Sequence, residues 1–109
     1  MMKPSIGVLA VAAALAVLPA AHAQGTGYPS KPVKLVVGYA PGGATDIGAR
    51  LMADALGKDL GQTFIVENRP GANSNIGAEY VVRAPADGYT LFVGSISTAI
   101  NQGLYTKLA

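Results

Sequence analysis

Between Val33 and Val93, three short apolar runs alternate with two stretches of helical spacing, and that order leaves few folds open. Val33 to Tyr39 (VKLVVGY) is almost wholly apolar and β-branched, the composition of a strand buried on both faces of a parallel sheet. After the Pro41-Gly42-Gly43 corner, Ile47, Leu51, Ala55, Leu56 and Leu60 predict an amphipathic helix of about four turns, capped at its start by Thr45 or Asp46, with Gly57 and Gly61 near its end. Thr63 to Glu67 (TFIVE) reads as a second strand and Asn68 to Asn73 (NRPGAN) as a turn-rich loop. From Ser74 or Asn75, the positions of Ile76, Tyr80, Val81 and Ala84 predict a shorter helix with Glu79 in its first turn. Pro85 to Gly88 breaks it, and Tyr89 to Val93 is the third strand, running into the small-residue corner Gly94-Ser95-Ile96-Ser97-Thr98.

Strand, helix, strand, helix, strand with short connections calls for a parallel sheet with right-handed crossovers: the βαβαβ half of a doubly wound α/β lobe. Ligands of such sheets gather beyond the carboxyl ends of the strands, where strand order reverses. With order 2-1-3, the corners Pro41 to Asp46 and Gly94 to Thr98 would flank one crevice. Gly42 and Gly43 have no Cβ, so a ligand can come close to their amides, and the helix start aims its unsatisfied N–H groups and positive dipole end at the same place. The natural occupant is an anion, phosphate or carboxylate. The same two glycines also suit a plain tight turn. Gly43 to Gly48 has the first six positions of a Walker A loop, but Ala49-Arg50 stands in place of the lysine and the magnesium-binding hydroxyl. G-x-G-x-x-G is absent, because Gly42 and Gly43 are adjacent, and Asp46 would repel a triphosphate.

The N-terminus bears on compartment. Lys3 is the only charge before an apolar run from Ile6 to Leu18, followed by Pro19 and the small-x-small sequence Ala21-His22-Ala23. The run is shorter than the roughly 20 residues that span a bilayer. It predicts a signal peptide over residues 1–23, cleaved after Ala23, export to the periplasm by the general secretory route, and a flexible leader over Gln24 to Pro32. The exported chain would then contain neither His nor Cys. That excludes Ser-His-Asp hydrolysis, Cys-His nucleophiles and zinc held by His or Cys. No cofactor or metal is expected. Carboxylate-only chemistry stays open on composition, although Asp54 and Asp59 read as a solvated helix face beside Lys58 and Arg50. Near-balanced charge gives no footprint for nucleic acid.

The stretch from Tyr28 to Ser95 resembles the N-terminal part of the Bug family, the extracytoplasmic solute receptors of tripartite tricarboxylate transporters. The resemblance rests on Tyr28-Pro29 with Lys31-Pro32, Pro41-Gly42-Gly43 followed by Asp46, and Gly61-Gln62. It continues through Val66 to Ala72 (VENRPGA), Asn75-Ile76-Gly77, and Ala84-Pro85 with Asp87 to Thr90 (DGYT). The resemblance implies a two-lobed, type II-like periplasmic binding protein that closes on a small organic anion, a di- or tricarboxylate, an acidic amino acid or an aromatic acid. It implies delivery to a membrane permease of one large and one small component. It also implies a carboxylate held by the two corners: Tyr39 as a wall, Gly42, Gly43 and Ala44 as amide donors, Asp46 positioning water, and Ser95, Ser97 and Thr98 as hydroxyl donors. Two departures stand out. Gly38 takes the place of a common proline, and SISTAIN lacks a histidine often found after the Ser/Thr pair.

Family members are about three times as long, so residues 33–109 are expected to be a partial N-terminal lobe with the second lobe missing. Micromolar binding needs about −8 kcal/mol, whereas a charge at a helix N-terminus contributes ~0.3 to 1 kcal/mol. A half-lobe open to water should fall short of that. Two alternatives follow: a truncated product without a binding function, and an exported enzyme that acts on a carboxylic acid through the Gly42-Gly43 corner.

Overall fold

Val33, Leu35, Val36 and Val37 are at most 2% exposed, which makes one strand the axis of the fold. The computed structural model describes residues 27–107. The expected signal peptide and its cleavage point after Ala23 lie outside the described residues. Three strands, β1 (Val33–Val37), β2 (Phe64–Asn68) and β3 (Thr90–Val93), pair in parallel in the order β2-β1-β3. Val33 stands opposite Phe64 and Val37 opposite both Asn68 and Val93, so the carboxyl ends of all three strands reach one edge. The central strand is apolar at nearly every position because it is covered on both faces. Burying each Val or Leu there contributes about 1.5–3 kcal/mol.

Helix α1 (Ala44–Leu60) links β1 to β2, and α2 (Asn75–Arg83) links β2 to β3. The chain moves outward from β1 and then back across it, so two right-handed crossovers place these helices on opposite faces. Helix α1 turns a face of small residues inward: Ala49 and Ala53 are buried, together with Asp46. The larger stripe expected to face the core is exposed instead, with Ile47 at 53% and Leu51 at 69%. Gly77 performs the same service for α2, since a Cβ there would meet the Arg69 carbonyl oxygen and the Gly38 Cα, both at 3.1 Å.

The helix ends differ in part from expectation. Gly43, with extended backbone, precedes α1 directly, so neither Thr45 nor Asp46 caps it. Gly61 closes it in the left-handed conformation (φ 68), its N–H donating to the Gly57 carbonyl at 3.0 Å. Glu79 lies beyond the first turn of α2 and pairs with Arg83 at 3.4 Å. The second corner is itself the start of a third helix, α3 (Ile96–Leu104), with Ser95 at its N-cap. From 27 to 32 the expected flexible leader is tied to the start of β3. The Tyr28 hydroxyl donates to the Gly88 carbonyl, and the Ser30 N–H donates to the Tyr89 hydroxyl at 2.9 Å. A Lys34–Glu67 ion pair at 2.8 Å and a Lys34 bond to the Tyr80 hydroxyl at 3.0 Å hold β1, β2 and α2 together. The Lys58–Asp54 pair at 2.7 Å is exposed on both sides. Lys58→Ala should therefore change stability by less than about 0.5 kcal/mol in denaturant titrations.

Candidate functional site

β1 ends at Val37, and the chain turns through Gly38 to Gly43 into α1. Gly42 has φ 94, a backbone that glycine adopts without strain. Its N–H donates to Asp46 Oδ2 at 2.9 Å. That carboxylate, 3% exposed, also accepts from Arg50 Nε at 3.0 Å and, through Oδ1, from Asn68 Nδ2 at 2.9 Å. Asn68 donates in addition to the Tyr39 carbonyl at 3.0 Å and accepts from Arg50 at 3.2 Å. Arg50 foremost, then the Gly42 amide and Asn68, lower the Asp46 carboxyl from an ordinary 3.8 to about 2, against the opposing effect of burial. Asp46 is thus a brace that locks the corner to the end of β2. The expected roles of Gly42 as a ligand donor and of Asp46 as a water holder meet groups already engaged within the protein. Gly43 and Ala44 are exposed, and no side chain caps α1, so the amides of its first turn remain open to an anion.

The second corner meets the first through Tyr39. Its hydroxyl hydrogen-bonds Ser95 Oγ at 2.7 Å and also Ser97 Oγ, and the two serine hydroxyls lie 2.9 Å apart. Ser95 and then Ser97 lower the Tyr39 phenol below its ordinary value. Ser74 lies near enough to the phenol to add a smaller effect of the same sign, although its Oγ completes no hydrogen bond. Thr98 Oγ1 accepts the Ser95 N–H at 3.2 Å, which ties this hydroxyl to the helix start. Tyr39, Ser95 and Ser97 therefore form one cluster, with Thr98 on its α3 side. Tyr39→Phe removes the shared hydroxyl and should cost about 0.5–1.5 kcal/mol in unfolding free energy, read by urea titration.

Arg50, Asn68, Ser74 and Asn101 were not among the expected site residues. Asn101 carried no signal: Ile96, Ile100 and Leu104 are spaced as one apolar helix face, which would leave Asn101 in water, yet Asn101 is 1% exposed and those three are exposed. A surface groove of about 640 Å³ runs between α1 and β2 past Arg50, Lys58 and Gln62, and includes none of the expected site residues.

A parallel α/β unit whose first and third strand ends are joined by a hydroxyl cluster has its candidate groups at the carboxyl edge of the sheet, where open α/β sheets bind ligands. The family model described as tripartite tricarboxylate transporter family receptor matches residues 48–109, more than half of the chain. The chain belongs to that family, the Bug receptors. It is 43% identical over 77 residues to protein BugT of Bordetella pertussis, a match covering 71% of this chain and 24% of BugT. The structure of the periplasmic binding protein BugD is similar with a TM-score of 0.58 and 46% identity, covering 60% of this chain and 22% of that one. MatC from Rhodopseudomonas palustris, solved with bound malate, is similar with a TM-score of 0.57 and 42% identity, covering 60% and 22%. The chain spans about a quarter of the length of the curated relatives it matches.

Proposed function

We propose that the protein is the first-lobe part of a periplasmic receptor that captures a small organic carboxylate for a tripartite tricarboxylate transporter. The observation that carries this is the Tyr39 hydroxyl bridging to Ser95 and Ser97, which ties the corner after β1, the one that leads into the uncapped start of α1 at Gly43 and Ala44, to the corner after β3. The arrangement offers donors and no free carboxylate, which is what an anionic ligand requires. A relative with malate bound supports a dicarboxylate as the ligand class. Gly43, Ala44, Ser95 and Ser97 are the contacts, Tyr39 is the wall, and Gly42, Asp46 and Thr98 shape the corners. Residues 1–23 would be the signal peptide, removed after Ala23, and 33–109 part of the N-terminal lobe. A second lobe would close over the ligand, and a membrane permease would take it up. Exposed stripes on α1 (Ile47, Leu51) and α3 (Ile96, Ile100, Leu104) suit cover by further parts of that lobe.

Isothermal titration of the protein as its gene encodes it, with malate, succinate, adipate, citrate, glutamate and benzoate, tests the reading. Heat of binding with at least one acid, and none with its methyl ester, is the expected result. No heat with any of the six would overturn it.

A further inference from the structure

Three residues in succession, Ala72, Asn73 and Ser74, have φ of 48, 51 and 77, the left-handed region that side chains disfavour. Such a turn persists only where its surroundings impose it. Among the described residues, the hydrogen bonds that reach it from another element come from one side chain. Asn101, 1% exposed on α3, donates from Nδ2 to the Asn73 carbonyl at 2.7 Å and to Asn75 Oδ1 at 2.8 Å. Its Oδ1 accepts from Asn73 Nδ2 at 2.8 Å. Every hydrogen-bonding site of its amide but one lone pair therefore faces the turn.

The turn lies beyond β2, whose carboxyl end shares an edge with those of β1 and β3. It brings Ser74 against Gly38, the residue before Tyr39: a Cβ on Gly38 would lie 2.0 Å from Ser74 Oγ. Ser74 is 2% exposed, and its hydroxyl, alone among the buried side-chain polar atoms of the described residues, has no hydrogen-bond partner. It does not cap α2 either, although it stands at the N-cap. A strained serine with an unpaired hydroxyl beneath the Tyr39 cluster is poorly explained by folding alone.

We propose that Asn101 is a positioning residue of the ligand site: from the buried side of α3 it holds the left-handed turn Ala72–Ser74, making the loop after β2 a third wall beside Tyr39, Ser95 and Ser97. It couples this wall to the helix that carries Ser95 and Ser97, so the two strand ends move as one body. The inference rests on the carboxylate-receptor reading and adds the residue that shapes its site.

The test compares Asn101→Asp, Ser74→Gly and the wild type in the protein as its gene encodes it. Asn101→Asp keeps shape and acceptor but turns an anion toward the Asn73 and Asn75 oxygens. Ser74→Gly leaves the Asn101 bonds in place and removes the hydroxyl with its Cβ. NMR backbone shifts of residues 72–75 read the turn, and titration with malate and adipate, well below each unfolding midpoint, reads affinity. In Asn101→Asp the shifts should leave left-handed values and affinity should fall about tenfold. Ser74→Gly should keep the turn and lose affinity alone. A role confined to stability would lower the melting temperature and leave affinity untouched, and that result overturns the proposal. Unchanged shifts in Asn101→Asp would overturn it as well. A wild type that binds neither these two acids nor any other of the panel would bring down the receptor reading itself, an outcome the wild-type titration alone identifies.

Discussion

Affinity for organic carboxylates is expected to fall roughly tenfold or more in an Asp46→Asn protein, although the Asp46 carboxylate is buried and fully engaged. An asparagine keeps one acceptor oxygen and presents an NH₂ group where the second stood. The Gly42 N–H and the Arg50 Nε both donate to Oδ2, and Asn68 donates to Oδ1, so at least one donor would face another donor. With the NH₂ toward Asn68 the corner loses its tie to the end of β2, with the NH₂ toward Gly42 it loses the bond that holds Gly42 at φ 94, and in either case the open amides of Gly43 and Ala44 lose their aim. Removing a negative charge near an anion site acts in the other direction. Arg50 at 3.0 Å already compensates that charge, so the loss of geometry outweighs it.

The same substitution has a signature in acid. The folded carboxyl stands at about 2 against an ordinary 3.8, so its stabilising effect is complete above the unfolded value and is lost as pH falls through the folded one. Wild-type stability should therefore contain a component that declines between about pH 4 and about pH 2, and the Asn variant should lack it. Denaturant titrations at neutral pH and at about pH 3 measure the difference. Parallel losses in the two proteins would show that Asp46 is not its source.

The strands and the two linking helices were legible because they follow from local pattern, whereas the sheet order β2-β1-β3, a condition in the sequence analysis, comes from the structure. A β-branched run such as VKLVV, a Pro-Gly-Gly corner and a turn such as PADG each act within a few residues. Which face of α1 is buried was not legible. Hydrophobic spacing marks Ile47 and Leu51, yet the sheet takes Ala49 and Ala53, whose small size lets the helix approach closely. α3 was missed because Ser95, Ser97 and Thr98 look like a loop when read singly, although Ser95 with Thr98 three residues on is also the spacing of a capping pair. At the site, the types of group were legible and their partners were not. Tyr39 meets Ser95 across 56 positions, and Asn101 meets Asn73 across 28. Nothing local in the sequence announces such pairs.

Gly38→Ala is expected to destabilise the protein by about 1–3 kcal/mol, and Ser74→Gly in the same chain should recover much of that. Gly38 does not lie in the left-handed region, so its backbone accepts an alanine, and the penalty must come from contact. The new Cβ would stand 2.0 Å from Ser74 Oγ, 2.7 Å from its Cβ and 2.9 Å from its Cα. Rotation of the hydroxyl relieves only the first of these. Ser74→Gly removes the first two and frees a residue at φ 77 from its strain, so alone it should be close to neutral or stabilising. A double-mutant cycle followed by urea titration should then give a coupling of about 1 kcal/mol or more. Additive costs would mean that residue 38 is constrained by something other than Ser74. Coupled costs would mean that a glycine at the end of β1 and a serine after β2 divide one volume at the floor of the crevice. The hydroxyl can stand there only because the first strand leaves the room.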